Sequence, residues 1–388
     1  MMRKILIVLL AVTMLPLQAL AALTGAPMVD ECPVNIDCAS AILLELSSGT
    51  VIFAENADEM RPVASVTKLM TILLALEAVD DGRAAPDDMV TVSADASGMG
   101  GSQILLDTGE VQSYAQLLKT VIVGSANDSA VALAEYLYGS QELFVSYMNE
   151  RARELGMSST HFVNCTGLPA DGQYTTARDV ASMAMEVFAH PMYYEFSDIW
   201  LEDFDHGDGR ITQLTNTNKL IRLYDGCDGG KTGSTDEAGY CLAATALRGG
   251  MRLVAVVLGS SSGTKRFDAA EKMFDYGFAN YRLYPVAESG TPVKGRLPVT
   301  GGDADGVGLV LDGDLTLLLL KGGEQNVQLS PNLPESIPAP VASGQQVGTV
   351  DVMIGERVVA SLPVVAAGEV TATGFRYILS RILSLWTV

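Results

Sequence analysis

Ser65 and Lys68 stand three positions apart in "ASVTKLMT" (residues 64–71), at the head of an apolar run. A serine hydroxyl is a poor nucleophile until a neighbour takes its proton. An amine can take it when burial or nearby positive charge lowers its pKa, and helical i, i+3 spacing brings the two side chains together. At a helix N-terminus the nucleophile also meets the positive end of the helix dipole, which favours a developing oxyanion. Alone, the pair is a weak signal. Ser262 to Lys265 ("SGTK") repeats it in a Gly/Ser-rich stretch that reads as a loop.

Two further groups add to it. Ser125 and Asn127 flank Ala126 between helical runs ending at Val123 and starting at Ser129, where a hydroxyl and an amide can face a cleft. Lys231, Thr232 and Gly233 open a strand-like run, where a cation, a hydroxyl and an unhindered backbone can line an extended peptide. Taken separately, each is the chemistry of a turn or a strand end.

Elements that could hold these groups follow from periodicity. Two strands surround a turn at Ser47, Ser48 and Gly49, since apolar runs there are broken by turn formers. Pro62 opens a helix whose Leu69, Ile72, Leu73 and Leu76 form a buried stripe. Helical patterns cover 114–123, 129–138, 141–155 and 176–188, the last starting with a capping box from Thr176 to Asp179. Three strands follow between Gly229 and Ser260, with turns at 236–239 and 249–250, consecutive and antiparallel in the simplest arrangement. A helix over 266–279 closes the domain. After Leu283, Gly and Pro punctuate short Val and Leu runs, which reads as a small all-β domain over 285–370, with strands at 307–311, 315–320 and 347–354.

The chain has 388 residues, enough for two or three domains. Arg3 and Lys4, the apolar run 5–15 and the small residues Ala19 and Ala21 read as a secretory signal over 1–21; the alternative is an uncleaved anchor. Either places the remainder outside the cytoplasm. Five cysteines are few for an exported chain of this length, so no disulfide scaffold is expected, although Cys32 and Cys38 are close enough to pair. A net charge of −21 argues against a nucleic-acid partner, which needs clustered Lys and Arg. Three histidines without paired spacing leave a zinc hydrolase no ligand set. On a helical wheel, Phe375, Ile378, Leu379, Ile382, Leu383 and Trp386 fall opposite Arg376, Ser380, Arg381 and Ser384. Such a helix over the tail, roughly 21 Å long, is too short to span a bilayer and suits a membrane surface. Docking on the body of the protein is the alternative.

SxxK, SxN and KTG in this order resemble the signature of penicillin-binding proteins and serine β-lactamases. The surroundings "ENADEMRPVASVTKLMT", "NCTGLPADGQYTTARDVASMA", "TNTNKLI" and "GGKTGSTDEAGYCLAATA" are similar to the low-molecular-mass D-alanyl-D-alanine carboxypeptidases, over about residues 36–370 and into the tail. The resemblance implies an α+β chain. A catalytic domain over 30–283, an antiparallel sheet flanked by helices, precedes a sandwich-like all-β domain over 285–370 and an amphipathic membrane-association helix over 371–388. It implies Ser65 as nucleophile, Lys68 as its base and Ser125 as proton relay, with Asn127 positioning Lys68 and the substrate amide. Lys231 and Thr232 would hold the terminal carboxylate beside Gly233, and the backbone N–H groups of Ser65 and Ser234 would form an oxyanion hole. The implied partners are a peptidoglycan pentapeptide ending in D-Ala-D-Ala, β-lactams as covalent inhibitors, and the outer face of the cytoplasmic membrane. No metal or organic cofactor is implied.

Two positions depart from the family pattern. Ser234 stands where an aromatic or histidine is frequent, and Gly230 replaces an aliphatic residue, which weakens the strand locally. Cys165 and Cys241 lie near the motifs, but this chemistry needs no thiol, and they read as packing residues. Two other readings stay open: a serine β-lactamase, disfavoured because "STHFVNCTGLPADG" has no glutamate, and a non-catalytic penicillin-binding or cell-wall-binding protein.

Overall fold

In the computed structural model, described over residues 34–374, the chain starts with the expected hairpin. Strands β1 (Ser40–Glu45) and β2 (Val51–Glu55) pair antiparallel. The turn between them is set by Glu45, a buried carboxylate that accepts the N–H of Ser47 at 3.0 Å and of Ser48 at 2.8 Å. A single 3-10 turn (Ala64–Thr67) then leads into α1 (Lys68–Asp80). The helix therefore starts six residues after Pro62, not at it. Arg61 is bridged to Thr175 as an extended residue, and Ala64 sits at φ 49°, outside the right-handed α region.

A small ribbon, β3 (Met89–Thr91) with β4 (Val111–Ser113), encloses the one-turn helix α2 (Ala94–Ser97). Helices α3 (Tyr114–Val123), α4 (Asn127–Tyr138), α5 (Gln141–Glu154) and α6 (Ala177–Ala189) match the periodicity to within two residues. Local chemistry sets their ends. Ser113, Ser140 and Thr176 cap α3, α5 and α6 through their hydroxyls, and Gly139 ends α4 in the left-handed region. Half of the capping box at α6 is present: Thr176 accepts Asp179 N–H, but the Asp179 carboxylate turns to Ser159 N–H and Thr160.

The hairpin β5 (Leu201–Asp205) and β6 (Ile211–Thr215) and the short α7 (Leu220–Leu223) precede three long strands, β7 (Cys227–Thr235), β8 (Gly239–Arg248) and β9 (Met251–Ser260). These complete a five-stranded sheet in the order β2-β1-β9-β8-β7, antiparallel in its registered pairs. Helix α1 is apolar on nearly every face and is buried among α3, α4 and α6, as a central helix must be. The last helix, α8 (Gly263–Asn280), starts three residues earlier than expected, because Ser262 Oγ accepts Lys265 N–H and caps it. The second SxxK copy is thus a helix cap, not a loop, and its lysine pairs with Asp37 at 2.6 Å.

The chain divides into two units, residues 34–248 with 252–274, and 249–251 with 275–374. The second is a β-sheet unit of β10 (Tyr281–Ala287), β11 (Pro292–Thr300), β12 (Gly306–Leu311), β13 (Leu315–Leu320), β14 (Val327–Asn332), β15 (Ile337–Pro338), β16 (Gln346–Ile354) and β17 (Arg357–Ala366). A six-stranded sheet in the order β14-β16-β17-β12-β11-β15 and the ribbon β10-β13 share one apolar core, in which Ala287 packs with Leu297, Val352 and Val364. Residues 371–374 are not helical. Thr371 bonds Asp303 and Thr373 bonds Gly301 O, extending the chain along this unit. The expected leader over 1–21, Cys32 and the amphipathic tail over 375–388 lie outside the described residues. Among those described, no helix is long and apolar enough to cross a membrane.

Candidate active site

Ser65 lies in the 3-10 turn and Lys68 at the first position of α1, so the i, i+3 relation survives although the α-helix starts later than expected. Lys68 Nζ is 3.0 Å from Ser65 Oγ. The lysine has no exposed surface, whereas Ser65 is half-buried and reachable. Burial holds the Lys68 ammonium down at about 7, against the lifting charge of the nearby Asp128 carboxyl.

Two glycines fix the backbone that presents Ser65. A methyl group on Gly167, whose φ is +80°, or on Gly233 would lie 2.9 Å from Ser65 N. The third motif thus abuts the first through main chain, the close approach glycine permits. Gly167 is aimed by Asn164, whose Oδ1 accepts the N–H of Thr166 at 3.1 Å and of Gly167 at 2.7 Å. That Asx turn delivers Thr166 O to Lys68 Nζ at 2.6 Å. Asn127 is the residue expected to position Lys68. In the structure Thr166 O makes that contact, and Asn127 Nδ2 donates to Gly100 O at 2.6 Å. Asn127 Oδ1 is buried without a hydrogen-bond partner.

Ser125 is a buried non-glycine residue at φ 62°, wedged between α3 and α4. Its hydroxyl accepts from Lys231 Nζ at 2.7 Å, which joins the second motif to the third. Lys231 was expected to open a strand; it sits in the middle of one, because Cys227 to Gly230 already pair with β8. Burial, then the positive charges of Lys68 and Arg266, pull the Lys231 ammonium well below the usual lysine range. Two lysines and an arginine within range of one another make this a site that favours an anion.

Gly230 proves to be demanded by its surroundings. It adopts φ +151°, and a methyl group there would lie 2.7 Å from Asn218 Nδ2 and 2.8 Å from Ala243 O. Thr232 is buried beside Lys231, and Ser234 is exposed at the strand's outer end. Sequence reasoning missed Thr166, Gly167, Asp128 and Arg266. Arg266 Nη1 donates to Gly233 O at 3.1 Å and Cys241 O at 3.3 Å, bracing β7. Burial pushes the thiols of Cys165 and Cys241 up to about 12 and about 11, so both are neutral packing groups at ordinary pH.

This arrangement pairs a serine with a buried, low-pKa amine and sets a second serine–lysine pair beside a cationic strand. Residues 27–262 match the model of a family described as D-alanyl-D-alanine carboxypeptidase. The chain belongs to that family. Residues 281–372 match a second model, the penicillin-binding protein 5 C-terminal domain. D-alanyl-D-alanine carboxypeptidase DacF of Bacillus subtilis (strain 168) is 38% identical over 349 residues, covering 90% of this chain and 90% of its own. Penicillin binding protein 5 of Haemophilus influenzae superposes with a TM-score of 0.77 at 30% identity, over 88% of this chain and 99% of that one. Penicillin-Binding Protein D2 of Listeria monocytogenes, solved in its cefotaxime-bound form, superposes with a TM-score of 0.58 at 33% identity, over 64% and 100%.

Proposed function

We propose that Ser65 is the nucleophile of a serine-type D-alanyl-D-alanine carboxypeptidase acting on peptidoglycan stem peptides. The observation that carries this is Lys68 Nζ, buried and 3.0 Å from Ser65 Oγ. A neutral amine there takes the serine proton as Oγ bonds to the carbonyl carbon between the two D-alanines. The oxyanion forms against the backbone N–H groups of Ser65 and Ser234. The proton taken from Ser65 passes from Lys68 by way of the Ser125 hydroxyl to the leaving amine, so both residues end as they began, while Lys231 and Thr232 hold the carboxylate of the departing D-alanine. Water then releases the shortened peptide from Ser65. Asn127 positions the substrate amide. In the free site Lys231 is pulled toward the neutral amine, and an arriving carboxylate restores its charge.

The lactamase reading loses support at the same place. Segment 158–172 reaches Lys68 with a backbone carbonyl, Thr166 O, not with a carboxylate that could activate water for deacylation. The deciding experiment pairs a peptide ending in D-Ala-D-Ala with nitrocefin. Release of D-alanine with one stable β-lactam adduct per chain supports the peptidase. Sustained nitrocefin turnover without D-alanine release would replace it with a lactamase, and a stable adduct with no release would leave a penicillin-binding protein without turnover.

The charged, apolar and small residues of segment 1–21 support an extracytoplasmic location, and the wheel of 375–388 supports contact with the membrane surface. Residues 371–374 belong to the β-sheet unit, so a clean test removes only 375–388. The shortened chain should leave the membrane fraction and keep its rate of D-alanine release. Retention in that fraction would assign the tail to docking on the protein.

A further inference from the structure

The β5–β6 hairpin carries none of the three motifs, yet its tip reaches the segment that holds Asn127. Asn127 and Asp128 open α4, and both are tied to residues 100–106. Asn127 N donates to Ser102 O at 2.7 Å, and Asp128 Oδ2 accepts Ile104 N at 3.1 Å and Leu106 N at 3.2 Å. The other edge of that segment faces the hairpin. Thr212 Oγ1 donates to Ile104 O at 3.1 Å, and Arg210 Nη1 donates to Leu105 O at 3.0 Å. One peptide unit of chain is therefore gripped on one side by the SxN helix and on the other by the hairpin.

Thr212 has one hydroxyl hydrogen. With that hydrogen on Ile104 O, the 2.9 Å contact between Thr212 Oγ1 and His206 Nε2 needs the ring to donate. On its other side His206 Nδ1 lies 2.8 Å from Glu110 Oε1, a carboxylate that also accepts from Gln112, Asp107 N–H and Arg210. The ring thus bridges the Glu110 carboxylate and the Thr212 hydroxyl. The ring is buried, 5% exposed, and holds Thr212 Oγ1 from the side away from Ile104 O. The segment needs such holding, because Leu105 is a non-glycine residue at φ 66°, as is Ser125 at φ 62°. Conformations of that kind persist only where neighbours impose them.

We propose that Thr212 and His206 are positioning residues of the peptidase: through Ile104 they fix the N-terminus of α4, and with it Ser125 and Asn127. The inference rests on the reading of the site given above. Thr212→Val keeps the side-chain shape and removes the hydroxyl, and Thr212→Ser keeps the hydroxyl. Rates of acylation by penicillin and of D-alanine release are taken per acylable site titrated by intact mass, so unfolded molecules drop out. Thr212→Val should lose roughly tenfold in kcat, as small misplacements of reacting groups do, with KM nearly unchanged. Thr212→Ser should stay within about twofold of the parent, as the hydrogen bond is retained. A valine variant as fast as the parent, or valine and serine variants equally slow, overturns the proposal. Failure of the parent itself to release D-alanine or to be acylated overturns the peptidase reading and takes this inference with it.

Discussion

Replacing Ser65 with alanine should remove both the penicillin adduct and D-alanine release, the latter by on the order of 10⁴-fold or more, as loss of a nucleophile does in serine hydrolases. The expectation is this strong because the neighbouring hydroxyls of Ser125 and Thr71 are buried and engaged elsewhere. Ser125 is the nearest substitute in kind, but its oxygen accepts from Lys231 at 2.7 Å, and the residue is buried. Thr71, one turn further along α1, donates its hydroxyl to Cys165 O at 2.7 Å and has no exposed surface. Among the described residues, Ser65 combines access, a bond to a low-pKa amine and backbone pinned by Gly167 and Gly233. Intact mass and peptide mapping after penicillin treatment check it. An adduct that persists on Ser65→Ala, on Ser125 or elsewhere, would assign the chemistry to another residue.

The parts of this site that were legible in the sequence are those fixed by short-range spacing. Ser65 with Lys68, and Ser125 with Asn127, are each within three positions, and helices α3 to α6 carry their own periodicity and caps. What the sequence hid depends on distant chain segments meeting. Thr166 reaches Lys68 across 98 positions, and its signal, the Asx turn at Asn164, looks like any other loop until its target is known. Gly230 read as a weak point because the side chain of Asn218, which fills the space a methyl would need, is twelve positions away. The late start of α1 after Pro62 has the same origin, since Arg61 is drawn into a bridge with Thr175. Ser262 shows the converse. Its spacing to Lys265 copies that of Ser65 and Lys68, but Lys265 is exposed, and the hydroxyl caps a helix while the lysine goes to Asp37.

Lys68→Arg should be as inactive as Lys68→Ala, about a thousandfold below the parent in acylation by penicillin, within the range general-base removal produces. Arginine keeps a cation at this position but cannot give up its proton, so the pair of variants separates a base from a mere charge. The pH dependence carries the same distinction. Burial holds Lys68 at about 7, so the neutral amine gains population as pH rises through that value. The acylation rate should climb about tenfold per pH unit below it and level off above. Loss of a proton from Lys231 has the opposite sign, because it weakens the hold on the substrate carboxylate and slows the reaction. A rise centred near 7 therefore belongs to Lys68. Folding is linked to the same residue: between about 7 and its ordinary 10.5 the unfolded chain binds a proton that the folded chain does not. Stability should accordingly rise with pH across that window on account of Lys68, and Lys68→Met should flatten that part of the curve. An acylation rate unchanged from pH 6 to 8, or an active arginine variant, would remove Lys68 from the role of base and leave it as the cation that orients Ser65.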